Sequence, residues 1–260
     1  PPGPAARRVL LRRASFDLVG LPPAPGQLRA FEADRRPGAW SRAVERLLAS
    51  PHYGETQGRT WLDLVRYSET DGFKTDALRP QAYRYRDYVI RAFNQDRAYS
   101  RFVQEQLAGD ELFPEDPEAI IATGFNRMWP DESNASNILL ARQDALNDLT
   151  ANVGNVFLGL SMGCAQCHDH PFDVWTREDF YGMAAYFGKT RRIQSNLTNV
   201  IYTTEDKQSR VLWPPEDDLE ASNRKPKQPA FPFELISTDK TPDFIVRLEK
   251  LRTELARQEA

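Results

Sequence analysis

Cysteine and histidine are scarce in this sequence, and long apolar runs are missing. The chain has 2 Cys and 3 His among 260 residues, which is too little cysteine for a disulfide-stapled secreted scaffold. No apolar run approaches the roughly 20 residues that a membrane-spanning helix needs, so we expect no membrane span. The net charge of -3 offers no basic excess to neutralise phosphates, so we expect no nucleic-acid partner.

Helical periodicity dominates residues 1–190. Apolar residues recur three or four positions apart, and Gly, Pro, Ser and Thr stand where helices begin and end. We expect Ser50 to cap a helix whose first residue is Pro51, and Thr176 to cap another whose third residue is Asp179. The pattern predicts a mainly α fold, a single multi-helix domain of about seven to nine helices. The predicted segments are residues 6–20, 24–34, 39–50, 52–67, 81–96, 100–110, 116–128, 141–160 and 176–188. In the third of them, we expect Trp40, Val44, Leu47 and Leu48 to form one apolar face.

Residues 191–242 have a different composition. They are rich in proline and charge, and they predict an irregular extension with two short strands, in 196–205 and 209–215. Residues 243–260 return to a charged helical pattern, which we interpret as a connecting helix to a downstream domain. The chain begins PPGPAARR, without Met, so we expect a piece of a larger protein.

Both cysteines lie in one short segment, GCAQCHDHPFD, at residues 163–173. Cys164, Cys167 and His168 form the pattern Cys-x-x-Cys-His, which attaches haem c. The two thiols bond to the two vinyl groups, and the histidine supplies the proximal nitrogen to iron. We expect Gly163 to give the backbone room to turn before the first cysteine. The segment therefore predicts covalent haem c.

His170 lies two residues beyond His168, so it cannot reach the opposite face of the same haem. It is a candidate to bind a haem propionate, or to face another cofactor or a partner. The simpler interpretation is a loop histidine held by Asp169 or Asp173.

Three other interpretations of the cysteine motif stay open. The cysteines are a packed, reduced pair, or they are a redox dithiol, although the βαβ context typical of such dithiols is missing. The third is a zinc site formed by Cys164, Cys167, His168 and His170. Structural zinc sites normally join two separated segments, however, and these four ligands are neighbours in sequence.

A second iron ligand would have to come from elsewhere in the chain. The candidates are His52, which we prefer, Met128 and Met183, because Met162 is too close to the motif. His52 is equally well placed to cap a helix, and an open sixth position is the remaining possibility.

Paired carboxylates occur outside the motif. Asp144 and Asp148 lie four residues apart on one helix face, where they would tune an iron potential, carry protons or lie in solvent. The stretch DLVRYSETDGFKTD collects further carboxylates, which are candidates for acid–base chemistry or for holding a cation. The simpler interpretation is a solvated face, or pairing with arginines such as Arg66, Arg84 and Arg86. The tyrosines at 83, 85 and 88 are candidates for the core or for a pocket that holds a sugar or haem.

Several stretches together resemble one family. They are RRASFDLVGLPP, LLASPHYGE, WLDLVRYSETDGF, YRYRDYVIRAFNQDRAYSRFVQEQLAGDEL, ATGF and FLGLSMGCAQCHDHPFD. Over roughly residues 7–190 the chain is similar to the domain of unknown function 1549, a family abundant in Planctomycetes and their relatives. Two positions depart from the family's usual pattern: Pro171 replaces a basic residue, and Thr60 replaces a frequent histidine.

The resemblance implies a large exported protein, with a cytochrome-c-like domain upstream and a second uncharacterised domain downstream. The family has no settled activity to carry over. We therefore expect a periplasmic or otherwise exported c-type haem domain that relays electrons to other redox domains. The alternatives are a hydrolytic or carbohydrate-active enzyme that uses Asp and Glu residues, and a zinc-stabilised interaction module.

Overall fold

A computed structural model describes residues 5–72, 76–130, 138–188, 190–194 and 201–205. Within these residues the chain forms nine α-helices, each overlapping one predicted segment, so the mainly α class is confirmed. The helices divide into two compact units, a division that the sequence pattern did not predict. The first unit holds residues up to Tyr67 and Pro80–Phe125, and the second holds Ser68–Arg79 and residues from Asn126 onward. The predicted boundaries at residues 190 and 242 stay predictions.

Seven helices build the first unit, and α1, α4, α5 and α7 make most of the packing contacts between them. α1 contacts α2, α3 and α4, while α4 packs on α5, and α6 and α5 both pack on α7. Their bounds are α1 (Arg7–Val19), α2 (Pro25–Ala33), α3 (Ala39–Leu48), α4 (Pro51–Leu64), α5 (Tyr83–Asn94), α6 (Tyr99–Leu112) and α7 (Pro117–Ala122).

Glycine permits the close crossing of α4 and α5. A Cβ atom at Gly54 would lie 2.4 Å from the carbonyl oxygen of Ile90, so only a residue without a side chain fits there. Asn94 then joins the two helices, because its side chain accepts from Gly54 N at 2.8 Å and donates to Pro51 O at 3.1 Å. The Ser50 hydroxyl accepts from His52 N at 3.4 Å, which confirms the predicted start of α4.

The predicted apolar face of α3 is wrong in part. The buried residues of this helix are Ala39 and Ala43, which form a cluster with Leu11 and Phe31. Trp40 is 41% exposed. The small alanine side chains allow α1 and α2 to approach closely, and Trp40 covers the rim of the cluster against the Phe31 ring at 5.9 Å.

The second unit is built on two helices, α8 (Ile138–Val153) and α9 (Arg177–Tyr186). One π-helical turn, Gly154–Leu158, extends α8, and a 3₁₀ turn, Met162–Gln166, follows it. α8, α9 and the 3₁₀ turn pack on one another. The cysteine motif therefore begins on a short turn that is held between two helices.

A two-stranded antiparallel sheet follows α9. β1 (Thr190–Gln194) pairs with β2 (Ile201–Glu205), with Thr190 opposite Glu205. β2 lies within the first predicted strand, whereas β1 lies before it and was not predicted. The second predicted strand, the rest of the proline-rich extension and the connecting helix lie outside the described residues.

Candidate functional site

The turn that carries the cysteines is set by the end of the preceding helix. Gly159 has a left-handed φ of 66° and ends the π-helical turn, and its N–H donates to Gly154 O. Leu160 N donates to the same carbonyl at 3.0 Å, so two bonds close the helix end. The role predicted for Gly163 is wrong: a Cβ atom there would meet open space, and its φ is not left-handed. The glycine that turns the chain is Gly159.

Cys164 and Cys167 lie on the surface of the second unit. Both are exposed and neither forms a disulfide. Cys167 N and His168 N both approach Cys164 O, at 3.3 and 3.4 Å, so the backbone of the motif coils around the first cysteine. Two accessible thiols therefore stand on one turn, where a covalent partner can reach both of them.

His168 is exposed, and its ring is fixed by one short hydrogen bond. Nδ1 lies 2.7 Å from the carbonyl oxygen of Asp169. Since a carbonyl only accepts, Nδ1 must carry the proton, and Nε2 of the neutral ring keeps the lone pair. Within the residues that the structure describes, no partner approaches Nε2 of His168. This ring is ready to ligate a metal through Nε2.

His170 is half-buried and is fixed in the opposite way. Its Nδ1 accepts from Phe172 N at 3.3 Å and from Asp173 N at 3.0 Å. The backbone N–H of His170 donates to the carbonyl oxygen of Trp175 at 2.8 Å. Asp173 does hold this side chain, as the simpler interpretation expected, and it does so through its backbone N–H.

The carboxylates of the segment are used to build the loop. Asp169 Oδ1 accepts from Arg177 N at 3.0 Å, at the first residue of α9. Asp173 accepts from Val174 N at 2.8 Å and from the indole of buried Trp175 at 3.0 Å. These bonds fix the backbone between the motif and α9, so the histidine rings are held on a rigid frame.

The start of α9 is capped as predicted. The Thr176 hydroxyl accepts from Asp179 N at 3.2 Å, and Asp179 Oδ2 accepts from Thr176 N at 2.8 Å. This is a reciprocal capping box. A polar cavity of about 400 Å³ adjoins the cap, lined by Asp169, Thr176, Arg177 and Glu178.

Tyr181 lies beneath the motif and was missed by sequence reasoning. It is fully buried on α9, and its hydroxyl donates to Gln166 O, between the two cysteines, at 3.2 Å. Burial raises the pKa of Tyr181 to about 12, and the nearby Cys167 and Asp144 add to the rise. Burial also raises the pKa of Asp144. No signal in the sequence points to Tyr181, because it lies in an ordinary helix eight residues after the end of the segment 163–173.

Among the residues that the structure describes, Phe172 is the most exposed large apolar side chain. It is 95% exposed, and its ring stands edge-on to the His170 ring at 6.5 Å. Val174, on the same loop, is 45% exposed. Apolar surface therefore adjoins His170, on the loop that follows the cysteines, and a site for a largely apolar cofactor requires such surface.

The candidates for a distal ligand lie in different surroundings. His52 lies in the first unit, half-exposed, with Nδ1 2.7 Å from Glu55 Oε2. Met128 and Met183 lie in the second unit and are both buried, at 6% and 5% exposure. The assignment of a distal ligand stays a prediction.

The other polar groups singled out in the sequence are largely structural. Asp71 accepts from buried Arg79 at 2.5 Å and from buried Arg127 at 2.8 Å. Its partners are therefore arginines, as the simpler interpretation expected, but not the three arginines named there. Tyr85 and Tyr88 belong to the core, whereas Tyr83 is 38% exposed. A second cavity of about 300 Å³ lies in the first unit, lined by Glu55, Arg59, Leu62, Asp63, Tyr67, Arg86 and Ile90.

Two features are missing from the described part of the chain. No three His, Cys, Asp or Glu side chains in it converge on a point where a metal ion would be held. No helix among the described residues has both the length and the apolar character to cross a membrane, as predicted.

Comparison with known families gives one match. The family described as a protein of unknown function, DUF1549 (PSCyt2), matches residues 1–192. No curated protein and no solved structure matches the chain. The match covers the first unit and the second unit as far as residue 192, including the cysteine motif, and it confirms the resemblance drawn from the sequence. The chain belongs to the DUF1549 family.

Proposed function

We propose that residues 163–173 attach a haem c covalently and that this domain relays electrons within a larger exported protein. One observation carries the proposal. Two exposed, unbridged cysteines on a single turn are followed directly by a histidine whose Nε2 lone pair is free to bind iron. The sequence pattern and the local hydrogen bonds therefore favour the same chemistry.

Covalent attachment requires free thiols. In each addition the thiol S–H adds across a vinyl double bond. The sulfur bonds to one vinyl carbon, and the proton goes to the other. No external oxidant or reductant takes part. Cys164 and Cys167 meet the requirement, because both sulfurs are accessible and neither is bridged.

The second requirement is an oriented iron ligand. Histidine ligands of metals usually donate their other N–H to a carbonyl or carboxylate, which fixes the ring and its tautomer. The Asp169 carbonyl does this for His168, and Asp169 itself is held by Arg177 N at the start of α9. When bound, haem iron supplies one-electron redox chemistry.

Exposure favours a relay over a closed catalytic pocket. Cys164, Cys167 and His168 all lie at the surface of the second unit, and Phe172, which contacts the His170 ring, is almost fully exposed. A neighbouring redox domain can approach such a surface, which suits electron exchange. Other redox domains of the same or another protein are the partners that we propose, in the periplasm or an equivalent exported compartment.

Maturation in a periplasm that contains the c-type haem attachment machinery tests the proposal. We expect the intact mass of the full chain to retain haem after acid–acetone extraction, together with a Soret band. The matched control is Cys164→Ser with Cys167→Ser, which should show the bare polypeptide mass. A bare mass for the unaltered chain would contradict the proposal, and stoichiometric zinc in that protein would favour the interaction module. Cytoplasmic protein is unsuitable, because it lacks the attachment machinery.

The distal ligand is tested on the same matured protein. We propose His52 first, then Met128 and Met183, each replaced by Ala in turn. A changed low-spin spectrum in one variant identifies the ligand. An unchanged spectrum in all three indicates an open or externally supplied sixth position.

A further inference from the structure

We propose that His170 is a fixed hydrogen-bond donor that binds a haem propionate through Nε2–H, and that it is not a second metal ligand. This inference rests on the proposed haem attachment. It assigns opposite roles to two histidines that are separated by one residue. His168 offers a lone pair, and His170 offers a proton.

The hydrogen bonds of His170 determine which of its two ring nitrogens carries the proton. Backbone N–H groups can only donate, and two of them, from Phe172 and Asp173, point at Nδ1. Nδ1 must therefore carry the lone pair, and Nε2 of the neutral ring carries the proton. A nitrogen that carries a proton cannot ligate a metal ion. His168 shows the reverse arrangement, because its Nδ1 faces a carbonyl.

The loop enforces this orientation. A half-turn of the His170 ring would bring the Cδ2–H group to face the two N–H groups, and both hydrogen bonds would be lost. Phe172 N and Asp173 N are fixed in turn, because His170 N is bonded to Trp175 O and Asp173 holds the Trp175 indole. The backbone thus sets the ring before any ligand binds, which lowers the cost of binding.

The acceptor for Nε2–H must come from outside the loop. Among the residues that the structure describes, no acceptor is bonded to Nε2 of His170. The nearest carboxylates in sequence are engaged elsewhere: Asp169 Oδ1 accepts from Arg177 N, and both oxygens of Asp173 are bonded. Haem carries two propionates, and a hydrogen bond from a neutral donor to a charged carboxylate is a strong one.

The first test needs no haem. In ¹⁵N–¹H correlation spectra of the full chain in its haem-free form, we expect His168 to be protonated at Nδ1 and His170 at Nε2. The same tautomer for both histidines would overturn the inference, because the two roles follow from that difference.

The second test uses the matured, haem-loaded chain and two substitutions of His170. Asn places its carbonyl oxygen near the position of Nδ1, so His170→Asn keeps the loop acceptor and removes the Nε2–H donor. Gln places its amide nitrogen near the position of Nε2, so His170→Gln keeps the donor and removes the loop acceptor. If His170 had only a structural role, His170→Gln would be the more disturbed variant.

The readout is the propionate bending band in the resonance Raman spectrum. We expect His170→Asn to lower its frequency and His170→Gln to leave it closer to that of the unaltered chain. An unchanged band in His170→Asn, with haem still attached, would overturn the inference and leave the proposed function standing. Absence of covalent haem in the unaltered chain would overturn both.

Discussion

Glu105 in the first unit and His168 in the second are both held by short hydrogen bonds. They differ because both oxygens of the Glu105 carboxylate are hydrogen-bonded, whereas one ring nitrogen of His168 has no partner among the described residues. Glu105 is 1% exposed and accepts from Tyr88 Oη at 2.7 Å, Arg97 at 2.5 Å and Arg101 at 2.6 Å. Burial opposes its ionisation, but these hydrogen bonds outweigh burial, and the pKa of Glu105 lies below its ordinary value.

The motif of the second unit uses its hydrogen bonds in another way. In each histidine ring Nδ1 is hydrogen-bonded to the backbone, which fixes the ring, and Nε2 has no partner among the described residues. The two cysteine sulfurs are exposed as well. A polar group whose bonds are all internal stabilises the fold, whereas a group that is fixed but incompletely bonded is suited to bind something else.

The largest effect that we expect separates attachment from stability. Cys164→Ser together with Cys167→Ser should abolish covalent haem, because both sulfurs that form thioethers are lost. Both side chains are exposed, so the free energy of unfolding of the haem-free chain should change by less than about 0.5 kcal/mol. Intact mass and urea denaturation measure the two quantities. A loss of stability above about 2 kcal/mol would favour the packed cysteine pair.

The next largest effect lies in the first unit. Glu105→Gln removes the charge that compensates Arg97 and Arg101, and it leaves two cations around a neutral amide. Breaking a buried ion pair costs about 3 to 5 kcal/mol, and we expect about 3 kcal/mol here because Arg101 is partly exposed. Urea denaturation of the haem-free chain provides the measurement.

Glu118→Gln is the matched control for Glu105→Gln. Glu118 also forms an ion pair with an arginine, Arg91, at 2.8 Å, but the two side chains are 36% and 43% exposed. An exposed pair of this kind contributes less than about 1 kcal/mol. If the two variants lost equal free energy of unfolding, the burial of Glu105 would not make its ion pairs stronger than the exposed pair of Glu118.

The helices were predictable because their signals are local. Ser50 before Pro51, and Thr176 with Asp179, mark helix starts within a few residues of sequence, and the structure confirms both caps. The division into two units was not predictable, because it depends on contacts between residues far apart in sequence. The prediction of the buried face of α3 failed for a related reason. The neighbouring helices pack closely on the small alanine side chains, and the large side chain of Trp40 lies at the edge of this contact.

The reactive groups of the candidate site could be predicted from the sequence, but the residues that hold those groups in place could not. Cys164, Cys167 and His168 are adjacent in sequence, so their spacing alone indicates the chemistry. The support from Tyr181 arises from the packing of α9 on the 3₁₀ turn, which no spacing rule describes. The opposite tautomers of His168 and His170 depend on loop geometry, which two neighbouring histidines in a sequence do not reveal.

A smaller effect is expected at the loop that carries the histidines. Thr176→Ala removes the hydroxyl that caps α9 at Asp179 N, and loss of such a cap costs about 1 kcal/mol. Hydrogen exchange at Arg177 and Asp179 should become faster. Ser50→Ala is the control in the first unit, where the bond to His52 N is longer, at 3.4 Å. A loss at Ser50 as large as that at Thr176 would contradict the ranking.

The smallest effect concerns the pH dependence of stability in the first unit. Asp110 follows a kink in α6 at Ala108, and burial raises its pKa to about 6. Between about pH 4 and pH 6 the folded chain therefore keeps a proton that the unfolded chain has lost, so stability falls as the pH rises through this range. Asp110→Asn should remove that slope and raise the free energy of unfolding at pH 7 by about 1 kcal/mol, allowing for partial solvent exposure. Urea denaturation at pH 4 and pH 7 measures the slope. Glu111→Gln, which keeps the Asp110 carboxyl, should retain most of it, and an identical slope in Asp110→Asn and the unaltered chain would contradict the assignment.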